Sequence, residues 1–181
     1  EEDARNLVLA LVKSGDRAKA EGELEAYRSD MSPAVLQYME VEFLLQEGRK
    51  EEALYRIESI LSCVSDQEIL FRCSLYGAEC LEGTGVYERR IGYLNQAEQY
   101  VSSVLLYRRI GEGFIKILEE EPEEGVRRTA AERALTCYEK LCAGPYAGYV
   151  DRLNLATVRQ LTGKYDEALE LLKELMEEAP E

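Results

Sequence analysis

The chain has 181 residues, 22 of them basic and 36 acidic, for a net charge of −14, and it contains no histidine. Such a surface repels phosphate backbones, so nucleic acid is excluded as a partner unless a local basic patch overrides the field. The missing histidine removes Ser-His-Asp and Cys-His catalysis and histidine-based pH switching. With 46% hydrophobic and 32% charged residues and only 4 Pro, the composition suits a continuous core under a solvated surface rather than disorder.

Asn6 to Gly15, NLVLALVKSG, carries apolar residues at helical spacing. Asp16 follows the glycine as an N-cap, and Ala18, Ala20, Leu24 and Tyr27 continue an apolar face on a second helix. Asp30-Met31-Ser32-Pro33 ends this pair, with Ser32 placed to cap and Pro33 to open the next helix. A second pair runs through Val41, Leu44, Leu45 and Gly48, then Ala53, Leu54, Ile57, Ile60 and Leu61. Gly15 and Gly48 lie 33 residues apart, and so do Ala20 and Ala53. A period of that size is the mark of a helical repeat.

The middle of the chain is less regular. Ser65-Asp66 caps a further helix in which Ser74 to Gly83 matches the first-helix pattern, and Gly83-Thr84-Gly85 makes a turn. No Ala stands at the expected place after it; Tyr93 and Ala97, following Gly92, supply a displaced equivalent. The excess near Val86 to Ile91 is a longer turn or an extended helix. The break between third and fourth units is expected between Tyr100 and Leu106. Glu119 to Gly125, EEEPEEG, is a polar turn, after which Val126, Ala130, Ala134, Leu135, Tyr138 and Leu141 build a helix that stops at Ala143-Gly144-Pro145.

The last stretch, Asn154 to Pro180, shows the unit most plainly. Leu155, Ala156 and Val158 to Leu161 precede the Gly163-Lys164-Tyr165 turn; Ala168, Leu169, Leu171, Leu172, Leu175 and Met176 follow it. Ala20, Ala53, Ala97, Ala134 and Ala168, taken as helix-crossing residues, are spaced by 33, 44, 37 and 34. Five units fit: 1–33, 34–66, 67–104, 105–145 and 146–181. Strand signals are absent.

The stretch resembles a tetratricopeptide repeat, through Ala156, Gly163, Tyr165, Ala168 and the closing Pro180; Arg152 stands near the place of that family's tryptophan. The resemblance implies an all-α, right-handed superhelical solenoid of antiparallel hairpins, about five repeats and ten helices, forming one domain over 1–181. It also implies a concave groove lined by the first helix of each unit, in which a peptide or partner domain lies. The groove positions would be Arg5, Asn6, Leu9 and Lys13, then Tyr38, Met39, Glu42 and Gln46, then Cys73, Ser74, Gly77 and Cys80. The fifth unit would supply Leu153, Asn154, Thr157 and Gln160. Chaperone-binding members clamp a carboxylate with Lys, Arg and Asn side chains. Leu9, Met39, Leu70 and Ser74 occupy those places here, so that role is rejected.

The expected function is therefore a protein-interaction scaffold. NLVLALVKSGD and LTGKYDEALELL further resemble repeat regions that follow the catalytic domain in bacterial Ser/Thr protein kinases, implying a recruiting region within a larger signalling protein. The alternative is a structural spacer or a self-associating module in which Leu171, Leu175 and Met176 pack on a second copy through the C-terminal hairpin, or simply against a next repeat. No kinase motif, P-loop or dinucleotide fingerprint occurs, so the segment is read as non-catalytic and without a cofactor. Five cysteines without a C-x-x-C pair argue for buried reduced thiols rather than zinc. No apolar run is long enough to span a bilayer and no signal-peptide pattern is present, so the expectation is a cytoplasmic segment of a longer protein making no membrane contact. The pairs Arg89-Arg90, Arg108-Arg109 and Arg127-Arg128 are expected to neutralise nearby glutamates, with an acidic or phosphorylated partner as the sharper reading. Tyr27, Tyr138 and Tyr165 are read as core residues, and Tyr38 and Tyr146 or Tyr149 as exposed anchors.

Overall fold

The computed structural model describes residues 2–120 and 122–178. Among these the chain forms ten α-helices and no strand: α1 (Glu2–Ser14), α2 (Arg17–Ala26), α3 (Pro33–Gln46), α4 (Lys50–Cys63), α5 (Gln67–Cys80), α6 (Tyr87–Glu98), α7 (Leu106–Glu119), α8 (Glu124–Cys142), α9 (Tyr149–Leu161) and α10 (Tyr165–Glu178). A single 3-10 turn, Arg28–Asp30, follows α2. The chain divides into two compact units, Glu1–Cys80 with α1 to α5 and Leu81–Glu181 with α6 to α10. That division falls inside the expected third repeat rather than at one of its ends.

Local chemistry explains the helix ends. Asp16 accepts from the Lys19 amide at 3.3 Å, and Ser32 accepts from Val35 with Pro33 in the first helical turn. Three hairpins use one turn. Asp16, Arg49 and Lys164 donate their amides to Leu11, Leu44 and Arg159, five residues back, closing the last carbonyls of α1, α3 and α9. The residue inside each loop, Gly15, Gly48 or Gly163, has φ between 72° and 80°, which a side chain would disfavour.

In the first unit, α1 packs on α2 and α3, α3 on α4 and α5, and α4 on α5. Val8, Val12, Ala20, Val35, Met39, Ala53, Ile57 and Ile60 are buried. Burying each of the larger ones contributes about 1.5–3 kcal/mol. The small crossing residues Ala20 and Ala53 fall on the helix faces the spacing assigns to them.

In the second unit, α7 packs on α6 and α8, and α9 on α8 and α10. Two glycines permit close approach at α7: a Cβ on Gly111 would stand 2.8 Å from the Tyr138 ring, and one on Gly113 would stand 2.6 Å from Leu94. The polar turn expected at Glu119 to Gly125 separates α7 from α8, with Glu121 outside the described residues; the closing Pro180 also lies outside them.

The displaced motif is corrected by the structure. Gly85, Tyr87 and Arg90 stand in the same relation as Gly163, Tyr165 and Ala168, and α6 starts at Tyr87 as α10 starts at Tyr165. Arginine occupies the alanine place. Gly92 lies inside α6, not at a turn, and the buried Ala97 sits seven residues beyond Arg90 on the same face. Arg90 is only 1% exposed, and its guanidinium is held by Glu120 and, at 3.5 Å, by Glu82. Glu82 also takes Lys116 at 2.8 Å. The long Arg90 side chain brings its own ion cluster, and Glu120, which also accepts from the Gly83 amide at 3.3 Å, ties the Gly83–Gly85 turn to the end of α7.

Candidate functional site

The helices expected to line a groove behave differently in the two units. In the first, side chains from α1, α3 and α5 bond to one another. Arg5 of α1 reaches Glu68 of α5 at 3.2 Å, and Glu68 also binds Arg72 at 2.9 Å. Tyr38 and Tyr76 both donate to Oε1 of Glu42, Tyr76 at 2.7 Å, and their rings stack with centroids 6.4 Å apart. Burial first, then the neighbouring Tyr76 and Glu42, pushes the Tyr38 hydroxyl well above its ordinary range. Glu42 is buried, so two tyrosine donors stand in for the water a carboxylate would otherwise hold.

This network decides where the expected groove residues lie. Leu9, Tyr38, Met39, Glu42 and Ser74 are buried, as are Cys73, Gly77 and Cys80, while Arg5 is half-buried; Asn6, Lys13 and Gln46 are exposed. Tyr38 is therefore not an exposed anchor. It is held by an i,i+4 bond and by a ring 38 residues further on, which a local reading of the sequence does not show.

A cleft of about 640 Å³ also opens in the first unit, with Leu24, Phe43 and Leu44 in its lining. Charged pairs border it: Arg17 with Glu21 and Glu47, Arg49 with Glu47 and Glu52, and Arg56 with Glu40. Such exposed pairs contribute at most about 1 kcal/mol each. All three of its arginines are already matched by glutamates.

In the second unit, Arg108 of α7 makes a two-pronged contact to Asp151 of α9, both bonds 2.7 Å, and the Gly148 amide donates to the same carboxylate at 2.7 Å. The Arg108 bond first, and the Gly148 bond after it, holds the Asp151 carboxyl below its usual range against the opposing effect of burial. Asn154 donates to the Tyr138 hydroxyl at 3.0 Å and is half-buried. Leu153, Thr157 and Gln160 are exposed. One arginine from each of two sequence pairs thus binds acids outside its own helix: Arg108 takes Asp151, and Arg90 takes Glu120 and Glu82.

Among the described residues, the last hairpin exposes a broad apolar surface. On α9, Tyr149, Val150, Leu153 and Leu161 are exposed, preceded by Tyr146 in the loop. On α10, Tyr165, Leu169 and Met176 are exposed by 66%, 52% and 77%. At 100° per residue, these three and Leu172 fall within an arc of about 60°, beside the buried stripe of Ala168, Leu171 and Leu175. The assignment of Leu171 and Leu175 to the uncovered face is thereby corrected: α10 turns them toward the core and shows the adjoining stripe. Tyr165 and Tyr27 are exposed rather than core residues, whereas Tyr138 is fully buried. The spacing i, i+4, i+7, i+11 from Tyr165 was readable in sequence. A doubly apolar helix does not reveal which stripe goes inward.

Cys73, Cys80 and Cys137 are buried, Cys142 is half-buried, and Cys63 is exposed. Among the described residues no group of three or more Cys, Asp or Glu side chains is placed to hold a metal, and no helix is long and apolar enough to cross a membrane.

No family model and no curated protein matches this sequence. Solved structures do match. MamA RS-1, as the ArsTM double mutant, has a TM-score of 0.62 at 14% identity, over 97% of this chain and 92% of that one. MamA AMB-1 gives 0.63 at 14% identity, over 96% and 88%. A dimer of human IFIT1 with PPP-AAAA gives 0.55 at 20% identity, over 96% of this chain and 39% of that one. At such identities the likeness speaks for the fold, and the chain has an all-α helical-repeat fold of the tetratricopeptide type.

Proposed function

We propose that the chain is a protein-interaction module and that its partner docks on the exposed face of the last hairpin, with α9 supplying the helix-lining contacts. The observation that carries this is the uncovered apolar surface of α9, on which the expected positions Leu153 and Thr157 stand in the open beside Tyr149 and Val150. Exposed patches of this kind, rimmed by polar residues, mark interaction sites. The likeness to MamA and IFIT1 supports the scaffold reading through the fold. In its fuller form the module recruits a substrate or regulator for a larger signalling protein such as a Ser/Thr kinase; the resemblance of NLVLALVKSGD and LTGKYDEALELL supports this. The IFIT1 structure holds PPP-AAAA, but a net charge of −14 opposes transferring a phosphate-bearing ligand to this chain.

The test is affinity capture from host lysate with the parent chain and with Leu153→Asp, helicity being checked by circular dichroism. A partner held by the parent and lost by the variant is the expected result. Equal recovery by both removes α9 from the site.

A second reading, self-association, rests on the exposure of Leu169 and Met176 on α10. Light scattering at two concentrations tests it, and a mass that stays monomeric overturns it.

A further inference from the structure

The charge beside the α10 stripe narrows the partner, given the interaction reading above. One flank of the stripe is a row: Asp166, Glu170 and Glu177 within an arc of about 40°, with Lys173 between them and the stripe. All four are exposed, and among the described residues none of them forms an ion pair. Elsewhere on α10, Glu167 pairs with Arg159 and Glu178 with Arg152, while Glu174 is exposed with no ion pair among the described residues. Three unmatched carboxylates against one ammonium leave that flank negative next to Tyr165, Leu169, Leu172 and Met176.

A second copy brings the same acidic row, and a chain of net charge −14, to the same face. Like charges set opposite one another cost affinity and slow the encounter. The complementary shape is a helix whose apolar residues repeat at i, i+4, i+7 and i+11, the spacing of the stripe itself. Its complementary charge is a row of lysine or arginine along one side. We propose that the α10 face of the last hairpin binds a basic amphipathic helix of another protein. Apolar packing supplies the affinity, and the Asp166–Glu170–Glu177 row sets the charge preference and the orientation.

The probes are two stapled helical peptides of about 14 residues, alike in their leucine stripe and differing only in lysine or glutamate along one flank. Stapling removes the instability of so short a free helix. Fluorescence anisotropy against the whole chain is expected to show saturable binding of the lysine peptide, at least about tenfold tighter than the glutamate peptide, with the gap shrinking as salt rises. Leu169→Asp with Met176→Asp is expected to weaken the lysine peptide at least about tenfold. Glu170→Lys with Glu177→Lys is expected to reverse the preference. These surface changes leave Ala168, Leu171 and Leu175 in place, and an unchanged melting curve confirms the fold.

Equal binding of the two peptides, no saturable binding of the lysine peptide, or a preference that survives charge reversal overturns the proposal. So does a mass that doubles with concentration and returns to monomer in the Leu169→Asp variant, since a second copy then occupies the face. A chain that captures a partner through Leu153 yet ignores the lysine peptide keeps the interaction reading and loses only this one.

Discussion

The helix face of the first unit and the last hairpin of the second use the same repeat chemistry to opposite ends. In the first unit, Arg5, Glu68, Arg72, Tyr38, Glu42 and Tyr76 engage one another, and Leu9, Tyr38, Met39, Glu42 and Ser74 are buried while Asn6, Lys13 and Gln46 stay exposed. In the last hairpin, Arg108 and Asp151 fix α9 to α7, and among the described residues the outer stripes of α9 and α10 stand exposed. A repeat position identifies a place on the fold. Whether that place is a surface depends on what the neighbouring helices carry.

The sharpest break of this contrast is in the ion cluster at the irregular turn. Glu120→Ala leaves the buried Arg90, among the described residues, with its long contact to Glu82, and is expected to lower stability by about 3 kcal/mol. Replacing Arg90 and Glu120 together with Leu recovers most of that loss in urea denaturation, because two matched charges leave the interior together. A second test removes the acceptor shared by the two tyrosines. Glu42→Leu removes the carboxylate that Tyr38 and Tyr76 share and should cost about 2–4 kcal/mol, whereas Glu42→Gln keeps an oxygen for both and should cost under about 1 kcal/mol. If the two variants melt alike, the first-unit network is not what closes that face.

Alkali acts on both units. Burial pushes the Cys73 and Cys137 thiols up to about 12, with nearby Glu42 and Glu98 acting in the same direction. A thiol raised in the folded state favours folding fully below its unfolded value near pH 9, and that contribution is lost as pH climbs toward 12. Denaturation midpoints should fall over this window, and iodoacetamide at pH 8 should label Cys63 well before Cys73, Cys80 or Cys137. The smallest effect on stability is expected where the functional effect is greatest: Leu153→Asp and Leu169→Asp should shift unfolding by under about 0.5 kcal/mol, since each starts exposed.

The legible part of the fold was its punctuation. Gly15 and Gly48, Ala20 and Ala53, and the Ser32-Pro33 cap mark helix ends and crossings through local geometry, which a short stretch of sequence contains. Arg90 hid the start of α6 because the pattern asks for a small residue there, and the acids that make arginine acceptable, Glu82 and Glu120, flank it at a distance in sequence. The site was legible in part. Leu153, Thr157 and Gln160 are in the open, but Tyr38 and Glu42 satisfy each other and Tyr76 from another helix, and no periodicity encodes that. The α10 stripe failed for a different reason: Leu171 and Leu175 compete with Leu169 and Met176 on hydrophobicity alone, and only packing against α9 chooses between them.

We propose that partners meet the last hairpin rather than the first unit. Photo-crosslinking tests it directly, with benzoylphenylalanine placed singly at Leu153, Leu169, Asn6 and Tyr55, all exposed positions. One partner crosslinked from 153 and 169 and absent from 6 and 55 is the expected result. The same partner crosslinked from 6 or 55, with none from 153 or 169, contradicts it.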